Sequence, residues 1–344
     1  MINIAVLGYG YWGPNIVRAL SEVTDANLMT VADFKQDRLD LARRRFPNIQ
    51  TTTSAAEVIA DPAIDAVVIA TPLGTHFELA MSALHANKHV LVEKPMCSSR
   101  AEAETLIEAA STRNRVLMVD HTFCYSGAVQ KIRELIDRGD IGEIYYYDSA
   151  RINLGLFRED ASVLWDLAIH DLSIMDYTLR QYPVAVSCTG SRHVPNQPES
   201  VAFMTLFYEG SLIGHLHVNW LSPVKLRRTL IGGTKKMIVY DDLESYEKIR
   251  VHDKGLILDG QLEDVHQLRL KGYRSGDVWS PQVSLAEPLR TEMTHFVRCI
   301  EGKEKPLTDA LSGMRIVSLI EAACQSLNMR GVPVEVNQKY AATI

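Results

Sequence analysis

A chain of 344 residues, 47% hydrophobic and 23% charged, is long enough for two cores and too apolar to be disordered. Its 36 Lys and Arg against 42 Asp and Glu leave a net charge of −6, which argues against a nucleic-acid partner, because neutralising phosphates needs a basic excess. Five cysteines without a CxxC pair argue against a disulfide framework or cysteine zinc site, and no run approaches the roughly 18 apolar residues of a membrane span. A cytoplasmic protein with neither membrane partner nor metal is the resulting expectation.

The first 125 or so residues alternate two patterns. Short β-branched runs predict strands at Ile2–Leu7, Leu28–Ala32, Ala66–Ala70, His89–Glu93 and Val116–Val119. Helical segments lie between them: Phe77, Ala80, Met81 and Leu84 follow the spacing of one helix face. Ser54 with Glu57, and Ser99 with Glu102, match the capping box. Alternating strands and helices predict a doubly wound parallel sheet of the Rossmann type, an α/β domain over residues 1–122.

From about Glu143 strands follow one another, at Glu143–Ile152, Val184–Arg192, Val201–Tyr208, Leu212–Trp220, Leu226–Ile231 and Lys236–Tyr240. Tyr208 to Ser211 read as a hairpin turn. One helix, about Ser162 to Arg180, interrupts the series. Residues 253–286 show no period and carry four Gly and Pro281, so a long loop is expected there. Helical periodicity returns from Glu287, with a second helix near Asp309–Asn328. These features predict an α+β second domain over residues 123–344 with a large open mixed or antiparallel sheet, its last helix free to pack back on the first domain.

The first strand runs into Gly8-Tyr9-Gly10-Tyr11-Trp12-Gly13, a G-x-G-x-x-G sequence. Gly8 permits a tight turn, Gly10 lets a pyrophosphate approach the backbone, and Gly13 allows close packing of the following helix. Amides at that helix start face the anion, and Pro14 suits the first turn. The second strand ends at Asp33, twenty residues beyond Gly13, where a carboxylate accepts hydrogen bonds from ribose hydroxyls and repels a 2′-phosphate. NAD is therefore the expected cofactor, although Lys35 close by can soften the repulsion.

The strand at 89–93 ends in Glu93-Lys94-Pro95, which puts Lys94 at the carboxyl end of the sheet, where ligands bind. An ammonium there can hydrogen-bond a substrate hydroxyl; it can equally be half of a surface Glu–Lys pair. Asp166 and His170 stand at i and i+4 beside an apolar stripe of Trp165, Ala168, Leu172, Met175 and Leu179. Neutral His170 suits the uptake of a carbinol proton, with Asp166 orienting it or the substrate. A structural i,i+4 pair gives the same spacing.

Taken together, GYGYWG at 8–13, ATP at 70–72 with His76, EKP at 93–95 and D-x3-H at 166–170 resemble the glucose–fructose oxidoreductase / inositol 2-dehydrogenase / MocA-like (Gfo/Idh/MocA) family. The resemblance spans nearly the whole chain. It implies hydride transfer between nicotinamide and a carbinol carbon of a sugar or cyclitol, with Lys94 and His170 as proton handlers and Asp166 in support. It also implies that Thr71, Pro72, His76 and Glu93 line the cofactor, and that the open sheet makes a homodimer or homotetramer.

One departure is visible. Many members carry D-x-G-x-H with Asp three residues later; here Ala168 and Ser173 stand at those places, unlike an inositol-type polyol pocket. GYWGPN, WDLAIHDLSI and the stretch from Trp220 through Pro223, Lys225 and Arg227 resemble the branch that handles nucleotide-linked amino sugars, such as UDP-N-acetylglucosamine 3-dehydrogenases of polysaccharide synthesis. That resemblance implies a sugar or nucleotide-sugar substrate oxidised at C3, with His121, Asn153, Trp165, Lys225 and Arg227 as candidate contacts. Lys225, Arg227 and Arg228 can meet a sugar diphosphate or form an exposed strand face.

Overall fold

A computed structural model describes residues 1–155, 161–259 and 269–338. The chain divides into two compact units, Met1–Ser126 with Ala286–Glu321, and Gly127–Leu285 with Ala322–Ile344.

The first unit holds six parallel strands: β1 (Ile2–Leu7), β2 (Ala26–Ala32), β3 (Gln50–Thr52), β4 (Ala66–Ile69), β5 (His89–Glu93) and β6 (Leu117–Asp120). Their order is β3-β2-β1-β4-β5-β6, and it reverses between β1 and β4. Helices α1 (Gly13–Ser21), α2 (Gln36–Arg45), α3 (Ala55–Ala60), α4 (His76–His85) and α5 (Arg100–Thr112) join them. Burial on both faces explains the unbroken apolar run of β4, in which every residue is buried. Both capping serines act as their spacing predicts: Ser54 accepts from the Glu57 N–H and Ser99 from the Glu102 N–H, each at 3.2 Å.

After the second unit the chain returns through α8 (Pro288–Ile300) and the first part of α9 (Ala310–Asn328). The Val119 N–H donates to the Thr308 carbonyl at 2.9 Å, so the return segment docks beside β6.

The second unit begins with α6 (Gly127–Asp137) and β7 (Ile144–Leu154). A π-helical turn (Leu164–Ala168) then leads into α7 (Ile169–Leu179). Further strands are β8 (Ala185–Ser191), β9 (Val201–Phe207), β10 (Ile213–Asn219), β11 (Leu221–Gly233), β12 (Met237–Asp241), β13 (Ile249–Asp259), β14 (Arg269–Trp279) and β15 (Val334–Glu335). They form one mixed sheet, β14-β13-β12-β11-β7-β10-β9-β8-β15, parallel only where β10 meets β7. Alternation is plain in the middle strands. Met204, Leu216 and Tyr147 are buried on one face, whereas Phe203 and Ile213 on the other are 43% and 45% exposed.

The structure corrects the long loop expected over 253–286. Strands β13 and β14 occupy most of it and pair antiparallel, with their connection outside the described residues. Beyond buried Ile249 and Val251 at the start of β13, Leu256, Ile257, Tyr273 and Val278 are all exposed, so neighbouring positions on both faces meet solvent and write no period-two pattern. The helix expected over Ser162–Arg180 also differs, because its first turn is π-helical.

Candidate functional site

In the first unit the carboxyl ends of the parallel strands lie at one edge of the sheet, and the candidate residues sit on the turns that follow them. Gly8 leaves β1 at φ +102°, and a Cβ there would lie 2.5 Å from the Ala70 carbonyl oxygen. At Gly13 a Cβ would fall 2.2 Å from the Gly8 carbonyl oxygen, so the turn closes on itself only with glycine at both places. A Cβ on Gly10 would meet nothing nearer than Arg38 Nη1 at 3.4 Å, so its backbone is open to a ligand. No side chain caps α1; Pro14 has no N–H and the Asn15 N–H donates to the Trp12 carbonyl at 2.9 Å, so an anion would meet the amides at and just before Gly13. Tyr11 is exposed, and the Tyr9 ring is buried.

Asp33 is buried just beyond β2. Its Oδ2 accepts the Tyr9 N–H at 2.8 Å and Arg38 Nη1 at 3.2 Å; its Oδ1 accepts the Lys35 N–H at 2.9 Å. The carboxylate thus ties the glycine turn to the start of α2. Sequence reading missed Arg38, although its place five residues after the acid was visible.

Thr71 and Pro72 follow β4, and His76 opens α4. The buried His76 ring brings Nε2 to 2.8 Å from the Thr71 carbonyl and Nδ1 to 2.7 Å from the Pro95 carbonyl. It is a brace between the turns after β4 and β5. Glu93 and Lys94 are half-buried at the end of β5, and the Lys94–Pro95 peptide bond is cis. His121 is buried just beyond β6, and neither ring nitrogen has a hydrogen-bond partner among the described residues. Burial, then the Lys94 charge, lower its pKa to about 3, so the ring is neutral. A buried neutral imidazole without a partner on the ligand-facing edge is suited to a ligand hydroxyl.

The second unit holds the Asp166–His170 pair. The Trp220 indole N–H donates to Asp166 Oδ2 at 3.1 Å. Trp220 is fully buried, so the carboxylate is anchored on the π turn, and half-buried His170 follows in the first turn of α7. The next residue, Asp171, is buried and accepts Arg151 Nε at 2.7 Å and Ser149 Oγ at 2.8 Å, pinning α7 to β7. Sequence reading missed this ion pair. Ser173 Oγ donates to the His170 carbonyl at 2.8 Å.

The remaining candidates scatter within this unit. Trp165 and Asn153 are half-buried, and Lys225 is exposed. Arg227 Nη1 pairs with Asp242 at 3.1 Å. Register sets Arg227 beside Arg151, whereas exposed Arg228 sits on the opposite face of β11. Among the described residues no three His, Cys, Asp or Glu side chains group as a metal site would, and no helix is long and apolar enough to cross a membrane.

Strand order 3-2-1-4-5-6, a glycine turn open at Gly10 and a buried acid after the second strand define a dinucleotide-binding domain. Residues 2–121 match the sequence profile "Oxidoreductase family, NAD-binding Rossmann fold", and residues 129–239 match "GFO/IDH/MocA C-terminal domain". The chain belongs to the GFO/IDH/MocA oxidoreductase family, and its cofactor is NAD.

Two relatives from Bacillus subtilis illustrate the range. The chain is 27% identical to scyllo-inositol 2-dehydrogenase (NADP(+)) IolW, covering 94% of this chain and 93% of that protein. It is 25% identical to scyllo-inositol 2-dehydrogenase (NAD(+)), covering 99% and 98%. The fold is shared with the UDP-N-acetylglucosamine 3-dehydrogenase GnnA from Acidithiobacillus ferrooxidans, at a TM-score of 0.81 and 22% identity over 95% of this chain and 98% of that one.

Proposed function

We propose that this oxidoreductase transfers hydride between NAD and a secondary hydroxyl, at C3, of a nucleotide-linked sugar or amino sugar. The observation that carries this reading is the Ser173 hydroxyl, bound to its own helix at the His170 carbonyl. Polyol-type members place a carboxylate there by resemblance; this short, inward-turned side chain offers a cyclitol no such acceptor. Exposed Lys225 adds positive charge suited to a diphosphate.

NAD, when bound, supplies the hydride acceptor. Lys94, as an ammonium, hydrogen-bonds the reacting oxygen and steadies charge on it. His170, as a neutral imidazole, takes the hydroxyl proton in the oxidative direction and returns it in reverse. Asp166, held by Trp220, supports His170 or the sugar. His121 accepts or donates one hydrogen bond to the ligand. A homodimer or homotetramer would cover the exposed sheet face of Phe203 and Ile213.

The names of the inositol dehydrogenases among its relatives favour a second reading, in which the substrate is a free sugar or cyclitol. NADH formation from NAD should be followed across UDP-sugars, inositols and aminoglycosides. Selective turnover of UDP-N-acetylglucosamine supports the first reading, and turnover of inositol alone replaces it with the second. NAD binding without turnover of any of them points to a regulatory protein. In the active assay, full activity of Lys94→Ala or His170→Ala would remove that residue from the chemistry.

A further inference from the structure

The first unit buries an acid that the proposed chemistry does not use. Glu292 lies on α8 with no exposed surface, and neither of its oxygens accepts a hydrogen bond from an N–H or O–H group among the described residues. Asp120, at the end of β6, and Thr122 are the polar groups its carboxyl faces. The Thr122 hydroxyl hydrogen already points to Asp120 Oδ1, at 2.5 Å. The Trp12 indole N–H donates to Asp120 Oδ2 at 3.0 Å. Asp120 thus has a donor on each oxygen, and Glu292 faces acceptors.

Carboxyl groups this close, out of water, cannot all be ionised. Glu93, paired with Asp120 in the β5–β6 register, adds a further negative charge, and the buried Tyr125 phenol also faces Glu292. At the surface near the start of the same helix, Arg290 lies 3.8 Å from Glu22 at the end of α1, and Arg18 of α1 pairs with Glu287 just before α8. Burial first, then the Asp120 charge, raise the Glu292 carboxyl well above the usual carboxylate range. The two donors mark Asp120 as the charged partner.

We propose that Glu292 is a neutral carboxylic acid that donates its proton to the Asp120 carboxylate, and that this pair positions Trp12, and so the glycine turn, for NAD. Trp12 is the residue before Gly13 at the start of α1, so a shift of its indole moves the amides that meet the pyrophosphate. Glu292 and Asp120 are positioning residues here. The inference concerns the cofactor unit alone and stands whichever hydroxyl compound is the substrate.

The full chain and its Glu292→Gln, Glu292→Ala and Trp12→Phe variants test this by thermal melting from about pH 5 to about pH 9 and by NADH fluorescence titration. Gln keeps the shape and an N–H donor for Asp120 but does not titrate. A raised acid contributes full stability below its unfolded pKa and loses it as pH rises. Glu292→Gln should therefore melt close to wild type near pH 5 and increasingly above it toward pH 9, with NADH affinity within about twofold. Glu292→Ala and Trp12→Phe should each weaken NADH about tenfold, the worth of one charge-assisted hydrogen bond. Trp12→Phe gives this reading even where Glu292→Ala does not fold.

A Glu292→Gln protein that falls further below wild type as pH rises would show an ionised Glu292 and overturn the proposal. So would unchanged NADH affinity in Trp12→Phe.

Discussion

Trp220 donates its indole N–H to Asp166 at 3.1 Å, so a buried aromatic side chain sets the carboxylate that precedes His170. Trp220→Phe keeps most of the ring and removes the donor. It should lower stability by about 1–2 kcal/mol and kcat about tenfold, with KM little changed, if Asp166 acts through its orientation. Denaturant melts and initial rates on the substrate selected by the panel measure both. A fall in stability with unchanged kcat would make the contact structural only.

Asp33 and Arg38 pair at 3.2 Å just beyond β2, where the proposed NAD site would receive the adenosine ribose. In that site this contact occupies the guanidinium, and the buried carboxylate would repel a 2′-phosphate. Asp33→Asn still accepts from Tyr9 but removes the charge. The ratio of NADPH to NADH affinity should rise about tenfold, and adding Arg38→Ala should reverse part of that rise. Fluorescence titration of both cofactors reads it; an unchanged ratio removes Asp33 from cofactor selection.

Arg151 and Asp171 form a buried ion pair directly after His170. Arg151→Met leaves the Asp171 carboxylate uncompensated and should cost about 3–5 kcal/mol. Replacing both, as Arg151→Met with Asp171→Leu, should recover much of that loss, because the pair is expensive to desolvate. Urea unfolding of the three proteins is the measurement. A double variant no better than Arg151→Met would contradict the account.

Two histidines, half-buried His89 and buried His121, should make the first unit acid-labile. His89 accepts the Val116 N–H on Nδ1 at 3.0 Å, and burial, then the Arg115 charge, lower its pKa to about 4. His121 is lowered to about 3. Both carry folded values below the unfolded one, so their stability is complete above the unfolded pKa of about 6.5 and drains away as pH falls through the folded values. Melting temperature should decline below about pH 6.5, and His89→Asn should flatten part of that decline. A wild-type melting temperature level down to about pH 4 would contradict both assignments.

Much of the first unit was legible because its signals are local. A glycine turn after one strand, an acid after the next and two capping serines each lie within a few residues of the element they define. The open mixed sheet was legible too, since its middle strands have one buried and one exposed face. The outer part of the β13–β14 ribbon was not, because Leu256, Ile257, Tyr273 and Val278 are exposed, and the π turn was not, because Leu164–Ala168 is composed like an ordinary helix.

By itself, the sequence determined the Rossmann unit, the dinucleotide turn and the order of the candidate residues, because backbone sterics and hydrophobic period act over short spans. Only the tertiary structure decided that Trp220 holds Asp166, that Arg151 neutralises Asp171, and that buried Glu292 faces Asp120, which takes the Trp12 indole N–H. Those partners lie far apart in the chain and meet because packed layers bring them together. Burial then fixes which of them carry charge, and no short-range pattern records burial of that kind.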